Sequence, residues 1–225
     1  MAEQKVRSVC IDTVTGLLDE MYMTSQSKPT HDMWKDWSQT IWTFNSALQD
    51  LGFTTLLVIG NAGTGKSAGM RTLPSKSNIW YNADNKNPTW IGGKQEYGKK
   101  NNPKAPYHVI PKTYGDILNH IKTGLKKDMF EEDRYAILTG HIETYKEGLD
   151  DRARLKVIGN LSNKMQIERK FENIMYAKVV MEDGTPKYVL ETQNDGYNTA
   201  RSYMGLFEPQ IDNDYDFIIN KLQEF

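Results

Sequence analysis

The segment Leu56-Leu57-Val58-Ile59-Gly60-Asn61-Ala62-Gly63-Thr64-Gly65-Lys66-Ser67 decides how this chain folds. Its apolar first part predicts a buried strand, and the remainder matches the pattern G-x-x-x-x-G-K-[ST]. A loop of this pattern directly after a strand is typical of proteins that hold the phosphates of a nucleotide. A glycine-rich turn without a ligand is the alternative interpretation.

The loop residues have separate chemical roles. Gly60 and Gly65 permit turns that a Cβ would hinder, and Gly63 permits close approach to a phosphate. Inward-pointing amides, at the start of a helix predicted from Lys66, would surround the anion. The Lys66 ammonium would reach the β- and γ-phosphates, and the Ser67 hydroxyl would bind Mg²⁺. The residues predicted to bind ATP or GTP are Gly60, Asn61, Ala62, Gly63, Thr64, Gly65, Lys66, Ser67 and Ala68.

Composition restricts the class of protein. A formal net charge of −1 over 225 residues gives no overall attraction to nucleic acid or membrane, so such binding would need local patches. The single cysteine, Cys10, excludes an internal disulfide and falls in an apolar strand. No signal peptide or membrane-spanning run is recognisable, so we expect a cytoplasmic protein that does not bind membranes.

Apolar runs alternate with helical stretches, which predicts an α/β fold with a mostly parallel central sheet flanked by helices. A β-hairpin is expected towards the C-terminus, across the turn Glu182-Asp183-Gly184-Thr185. The segment 143–164 is polar and receives no assignment. Strands are expected at 6–11, 54–59, 78–81 and 135–139, and helices at 34–51, 66–73, 114–127 and 214–223.

A phosphate loop usually works with an aspartate at the end of a neighbouring strand, which helps to hold Mg²⁺. Asp183 lies in a hairpin turn, which explains it without a metal. Asp12 ends the apolar strand at 6–11 and is the best candidate, and Asp84 follows the strand at 78–81. If Asp12 is an ordinary strand-end residue, Asp84 would carry more of the metal chemistry.

Asp12 precedes the phosphate loop, whereas the strand bearing a magnesium aspartate customarily follows it. Between the helix at 114–127 and the strand starting at Tyr135 there is only a short acidic linker. Moving residues 5–50 into that linker would restore the customary order. We therefore predict one domain over 1–225, with a relocated or circularly permuted strand–helix unit at 1–52 and the rest of the core at 53–225.

Four features together resemble the cores of RecA-type ATPases: Asp12-Thr13, the loop, Asn82-Ala83-Asp84 and Leu138-Thr139-Gly140-His141. More narrowly, the chain resembles the small phage ATPases of the Sak type, which are grouped with single-strand annealing and recombination proteins. The resemblance covers most of the chain, although only the phosphate loop is sharply diagnostic. It implies a RecA-like P-loop NTPase that hydrolyses ATP with Mg²⁺, forms homo-oligomers and acts on single-stranded DNA with other recombination proteins in the host cytoplasm.

The resemblance also implies catalytic roles beside that of Lys66. Asp84, placed on the strand beside the loop strand, would polarise the attacking water, although many relatives have Glu there. His141 would sense the γ-phosphate and relay its state to the DNA loops, the alternative being a structural histidine. Arg201 would reach a neighbouring subunit's γ-phosphate as an arginine finger, the alternative being a plain surface arginine.

Two segments, 90–112 and 152–164, interleave basic with aromatic or apolar residues. Single strands suit such surfaces, because backbone charge and base stacking are both sequence-tolerant. Solvated loops are the alternative interpretation. In RecA-like cores the loops after the later strands carry DNA, so the resemblance favours Arg152, Arg154, Lys156 and Lys164.

Two other functions stay open. A small-molecule or nucleotide kinase shares the phosphate loop, and Arg152-Ala153-Arg154 could serve as its lid, but no acceptor motif is evident. A non-catalytic adaptor would bind ATP to change its partners, and would be favoured if Asp84 proves dispensable.

Overall fold

The computed structural model describes residues 5–23, 31–93, 97, 108–125, 129–157 and 167–225, without the side chains of 31–38, 108 and 124. The strands are β1 (Val6–Asp12), β2 (Phe53–Gly60), β3 (Asn78–Asn82), β4 (His108–Val109), β5 (Phe130–Glu147), β6 (Asp150–Leu155), β7 (Asn173–Glu182), β8 (Thr185–Glu191) and β9 (Gln210–Asp212). The helices are α1 (Val14–Met23), α2 (His31–Asp50), α3 (Tyr114–Asn119) and α4 (Tyr215–Gln223), with 3-10 helices at Ser67–Thr72 and Ile167–Lys170 and a π-helical turn at His120–Gly124.

The described strands form one sheet in the order β4-β3-β1-β5-β2-β7-β8-β9, with β6 paired to β5. Neighbours from β4 to β7 run parallel, and β8 and β9 add an antiparallel edge. The fold is therefore mixed α/β with a mostly parallel sheet, as the alternating pattern predicts. The expected hairpin is also confirmed, because β7 and β8 pair from Tyr176–Glu191 to Glu182–Thr185.

Both faces of the sheet are covered, which explains its continuous apolar strands. Val9 and Ile11 belong to the core on the side of α1, α2 and α3, whereas Cys10 belongs to the opposite core, with the first 3-10 helix and α4. Cys10 is fully buried, as expected. None of the helices in the described part of the chain is long and apolar enough to cross a membrane.

The N-terminal strand β1 lies near the centre of the sheet, between β3 and β5. Its Asp12 is in register with Asn82 of β3, and Gly60 of β2 is in register with His141 of β5. The ends of β1, β2 and β3 consequently meet His141 of β5 at one edge, where ligands bind in open parallel sheets. Within the segment 143–164, which the pattern leaves unassigned, the described residues continue β5 to Glu147 and return as β6 in an antiparallel hairpin.

Three local expectations are wrong. The helix at 66–73 is only a six-residue 3-10 helix, Ser67–Thr72, so a long helix dipole cannot support the loop. The helix at 114–127 ends as α3 at Asn119 and passes into the π-helical turn. The strand that precedes Asp84 is not beside the loop strand, because β1 and β5 lie between β3 and β2.

Candidate functional site

The glycine-rich loop joins β2 to the first 3-10 helix and folds around the side chain of Lys66. The Lys66 ammonium donates to the carbonyls of Gly60 at 2.9 Å and Asn61 at 2.7 Å. Gly63 and Gly65 have φ values of 80° and 81°, a region that favours glycine. A Cβ at Gly63 would meet no atom within 4 Å, so open space adjoins the loop there.

The C-terminal part of the chain holds the loop from behind. The side-chain amide of Asn213 donates to the Gly65 carbonyl at 2.6 Å, and the Tyr215 hydroxyl donates to the Lys66 carbonyl. Asn213 and Tyr215 are both buried. The sequence pattern gave no sign of either contact, since each joins residues that are nearly 150 positions apart.

Asp12 lies against the phosphate loop, as the strand-end argument predicts. Its Oδ1 accepts a hydrogen bond from the Thr139 hydroxyl at 2.6 Å, and the Ser67 side chain lies close to the same carboxylate. Burial raises the pKa of Asp12, although Thr139, Ser67 and the charge of Lys66 act in the opposite direction. The structure therefore places the predicted magnesium aspartate beside the predicted magnesium hydroxyl, although 55 positions separate them in the chain.

The Lys66 ammonium, like the Asp12 carboxylate, is largely removed from water. Burial lowers the pKa of Lys66 to about 8, and the charges of Asp12 and Asp84 only partly offset that effect. A desolvated ammonium would gain from the negative charge of an added polyphosphate. The observed arrangement thus fits an anionic ligand in the loop.

Asp84 follows β3 and also lines the cleft. Its Oδ2 accepts from the Lys86 ammonium at 2.6 Å, and the same carboxylate packs against Gly16 of α1, where a Cβ would collide with it. The Lys86 side chain is 70% exposed, so the ion pair can be exchanged for water at little cost. Asp84 is therefore near the loop, but held by a lysine.

His141 also borders the cleft, at the point where β5 leaves the sheet. It does not end the strand, contrary to expectation, because β5 runs on to Glu147. Burial and the charge of Lys66 lower the pKa of His141, so the imidazole is neutral at pH 7. The His141 carbonyl accepts from the Lys156 amide at 2.8 Å, which ties this residue to β6 and its flank.

Together these groups line one cleft of about 340 Å³, which is within the usual range for small-molecule sites. Oxygen donors from Ser67 and Asp12 suit Mg²⁺, which keeps several waters and takes few protein ligands. Among the described residues, no cluster of three or more His, Cys, Asp or Glu could hold a metal ion by itself. The residues present therefore fit a magnesium ion that phosphate oxygens also coordinate. The lining comprises Asp12, Thr13, Ala62, Gly63, Gly65, Lys66, Ser67, Ala68, Trp80, Asp84, Lys86, Asn87, Pro88, Thr89, His141 and Tyr188.

Arg201 is not brought to this cleft. Its guanidinium donates to the carbonyls of Phe171, at 2.6 and 3.0 Å, and Glu168. Its backbone forms an isolated bridge with Ile174. These bonds explain the position of the Arg201 side chain without a neighbouring subunit. The arginine-finger role stays a prediction.

The candidate DNA residues lie partly on the β5–β6 hairpin. Arg154 Nε donates to Glu143 at 2.7 Å and its guanidinium lies 4.5 Å from the centre of the Tyr145 ring, while Arg152 pairs with Glu147 at 3.1 Å. Lys156 is exposed, and Lys164 lies outside the described residues, as does most of the segment 94–107. The hairpin therefore offers an arginine–tyrosine surface whose positive charge is largely matched by glutamates.

Comparison of the chain with protein-family models, with curated proteins and with solved structures finds no match.

Proposed function

We propose that this chain is a Mg²⁺-dependent ATPase with a RecA-like P-loop core that acts on single-stranded DNA. The observation that carries the proposal is the closeness of the Ser67 side chain of the loop to the Asp12 carboxylate of β1, near the Lys66 ammonium. A hydroxyl and an aspartate in this relation are what P-loop enzymes use to hold Mg²⁺.

The strand order supports the relocated-unit hypothesis. In the sheet β1 lies between β3 and β5, where a strand that followed α3 in the chain would insert. One central position in the sheet is thus filled by the N-terminal segment. A permutation changes only the connections between strands. The same strand ends would therefore still meet at this edge of the sheet and form the site.

The proposed reaction is attack of water on the γ-phosphorus. The new bond joins the water oxygen to phosphorus, the bond to the β–γ bridging oxygen breaks, and ADP and inorganic phosphate leave. Lys66 would bind the β- and γ-phosphate oxygens, and Asp84 would orient the water and accept its proton. Bound Mg²⁺ would neutralise the charge that develops on the bridging oxygen.

For Asp84 to do this, its carboxylate must leave Lys86. We therefore infer low basal hydrolysis that rises when DNA binding rearranges the segment bearing Lys86. The β5–β6 hairpin is the favoured DNA contact, because it combines Arg154 and Tyr145 with a direct strand connection to His141.

The test is phosphate release from ATP with Mg²⁺, with and without single-stranded DNA. Lys66→Ala should abolish release, whereas Lys76→Ala, which removes an exposed lysine ten positions later, should leave it unchanged. Stimulation by DNA that is lost in Lys66→Ala supports the proposal. Lys66-dependent release that ignores DNA refutes the coupling to DNA and favours a kinase.

A non-catalytic ATP-gated adaptor is the second candidate, and the Lys86–Asp84 ion pair favours it. An adaptor would bind ATP through Lys66 but release no phosphate, with or without DNA. Lys86→Ala separates the two, because freeing Asp84 should raise hydrolysis in an ATPase and change nothing in an adaptor.

A further inference from the structure

An exposed aromatic ring lines the same cleft as Asp12. Tyr188 of β8 lines the cleft and is 44% exposed. A Cβ at Gly65 would approach Tyr188 Cδ1 to 2.7 Å, so the ring lies directly against the phosphate loop. An aromatic side chain that remains half-exposed inside a cleft has a free surface for a ligand.

The sheet places Asp12 and Tyr188 symmetrically about the loop strand. Asp12 belongs to β1, two strands from β2 on one side, and Tyr188 belongs to β8, two strands away on the other. A nucleoside triphosphate is a linear ligand with Mg²⁺ and phosphates at one end and the base at the other. If its metal end were held at Ser67 and Asp12 and its phosphates in the loop, its base would be directed towards the Tyr188 side.

Asn213 is hydrogen-bonded both to the backbone of Tyr188 and to the phosphate loop. The backbone amide of Asn213 donates to the Tyr188 carbonyl at 3.3 Å, and its side-chain amide donates to the Gly65 carbonyl at 2.6 Å. Asn213 therefore links the backbone of Tyr188 to the phosphate loop. A preorganised platform of this kind reduces the entropy lost when a ligand binds.

We propose that Tyr188 is the stacking platform for the nucleobase of the triphosphate bound at the loop, and that it accepts adenine and guanine alike. This inference rests on the proposed nucleotide binding and adds the base contact to it. Stacking on a phenol ring is tolerant of base identity, because every base has a π face, and it is stronger for the larger purines.

The experiment measures calorimetric affinities for ATP, GTP, UTP and inorganic tripolyphosphate, each with Mg²⁺. Tripolyphosphate provides the phosphate contacts without the base. Tyr188→Ala should weaken ATP and GTP about tenfold, weaken UTP less, and leave tripolyphosphate unchanged. Tyr188→Phe should bind all four as the wild type does, because the ring is retained.

Val179→Ala is the matched control, because Val179 pairs with Tyr188 across the hairpin and is similarly exposed at 40%. It should leave every affinity unchanged. The proposal is overturned if Tyr188→Ala weakens tripolyphosphate as much as ATP, which would make the ring a support for the loop. Unchanged affinities in Tyr188→Ala, or a strong preference for one purine that survives it, would also overturn it. A wild-type protein that binds neither ATP nor tripolyphosphate would instead refute nucleotide binding itself.

Discussion

The hydroxyl of Thr139 donates a hydrogen bond of 2.6 Å to Asp12 Oδ1, across two adjacent central strands that are 127 residues apart in the chain. Thr139 is fully buried and Asp12 nearly so. The buried carboxylate of Asp12 is therefore satisfied by a neutral hydroxyl rather than only by a cation, which leaves its charge available for a metal.

Thr139→Val should destabilise the protein, because it removes this donor while nearly preserving side-chain volume. We expect a loss of about 1–3 kcal/mol in the free energy of unfolding, measured in urea at pH 7. Thr139→Ser keeps the hydroxyl and should lose less. Equal losses in the two variants would contradict the hydrogen-bond explanation.

Asp12→Asn should stabilise the Mg²⁺-free protein by about 1–2 kcal/mol, because it removes a buried charge and keeps an acceptor for Thr139. Since folding raises the pKa of Asp12, the cost of ionisation is present above that pKa and falls as the pH is lowered through it. The gain in melting temperature should therefore shrink on acidification.

The same variant should lose Mg²⁺-dependent binding of ATP. Glu132→Gln, which neutralises an exposed carboxylate on β5, is the control and should alter neither property. A less stable Asp12→Asn protein would show that the carboxylate stabilises the fold rather than the ligand.

The affinity for ATP should fall above pH 8. The pKa of Lys66 is lowered to about 8, so at higher pH the lysine must take up a proton to bind phosphate. Each further pH unit should cost up to about tenfold in affinity. Fluorescence titrations from pH 7 to 10 measure this, and Lys66→Ala should bind weakly with a flat profile. A wild-type affinity that is constant to pH 10 contradicts the assignment.

Arg201→Ala should lower the free energy of unfolding by about 2–3 kcal/mol, because the carbonyls of Phe171 and Glu168 lose a charged donor. Arg169→Ala removes an exposed arginine on the neighbouring 3-10 helix and should have little effect on chemical denaturation. If Arg201→Ala kept full stability but lost DNA-stimulated hydrolysis, the arginine-finger role would be supported instead.

Gly69→Ala should weaken both stability and ATP binding. Its Cβ would lie 2.5 Å from Asn213 Oδ1 and from the Tyr215 ring, the two side chains that hold the loop carbonyls. Gly115→Ala, in α3, meets nothing closer than 3.4 Å and should be neutral or stabilising by about 0.5–1 kcal/mol. Thermal melts and ATP titrations compare them, and equal effects would contradict this account.

The parts of the site that follow from the sequence are those that local patterns encode. The phosphate loop and the strand that ends at Asp12 can each be recognised from a few consecutive residues. The alternation of strands and helices predicts a parallel sheet, which brings strand ends together. The contacts of Thr139, Asn213 and Tyr188 depend on which strands become neighbours. No local pattern carries that information.

The errors have both non-local and local origins. The resemblance places Asp84 on a strand beside the loop strand, whereas β1 and β5 lie between β3 and β2 in the sheet. The continuation of β5 past His141 lacked a hydrophobic alternation, because the hairpin that it forms with β6 is exposed along much of its length. The 3-10 helix at Ser67–Thr72 is short because Pro74 follows within two residues.

The central position of β1 has a consequence for the kinetics of folding. Ser8 pairs with Asn78 of β3 and with Tyr135 of β5, which follow it in the chain by 70 and 127 positions. Contacts so distant in sequence make folding slow, and during synthesis an apolar strand emerges long before the strands that will cover its edges. During synthesis the edges of the apolar strand β1 therefore stay unpaired until β3 and β5 have been made, which would leave this strand open to binding by chaperones.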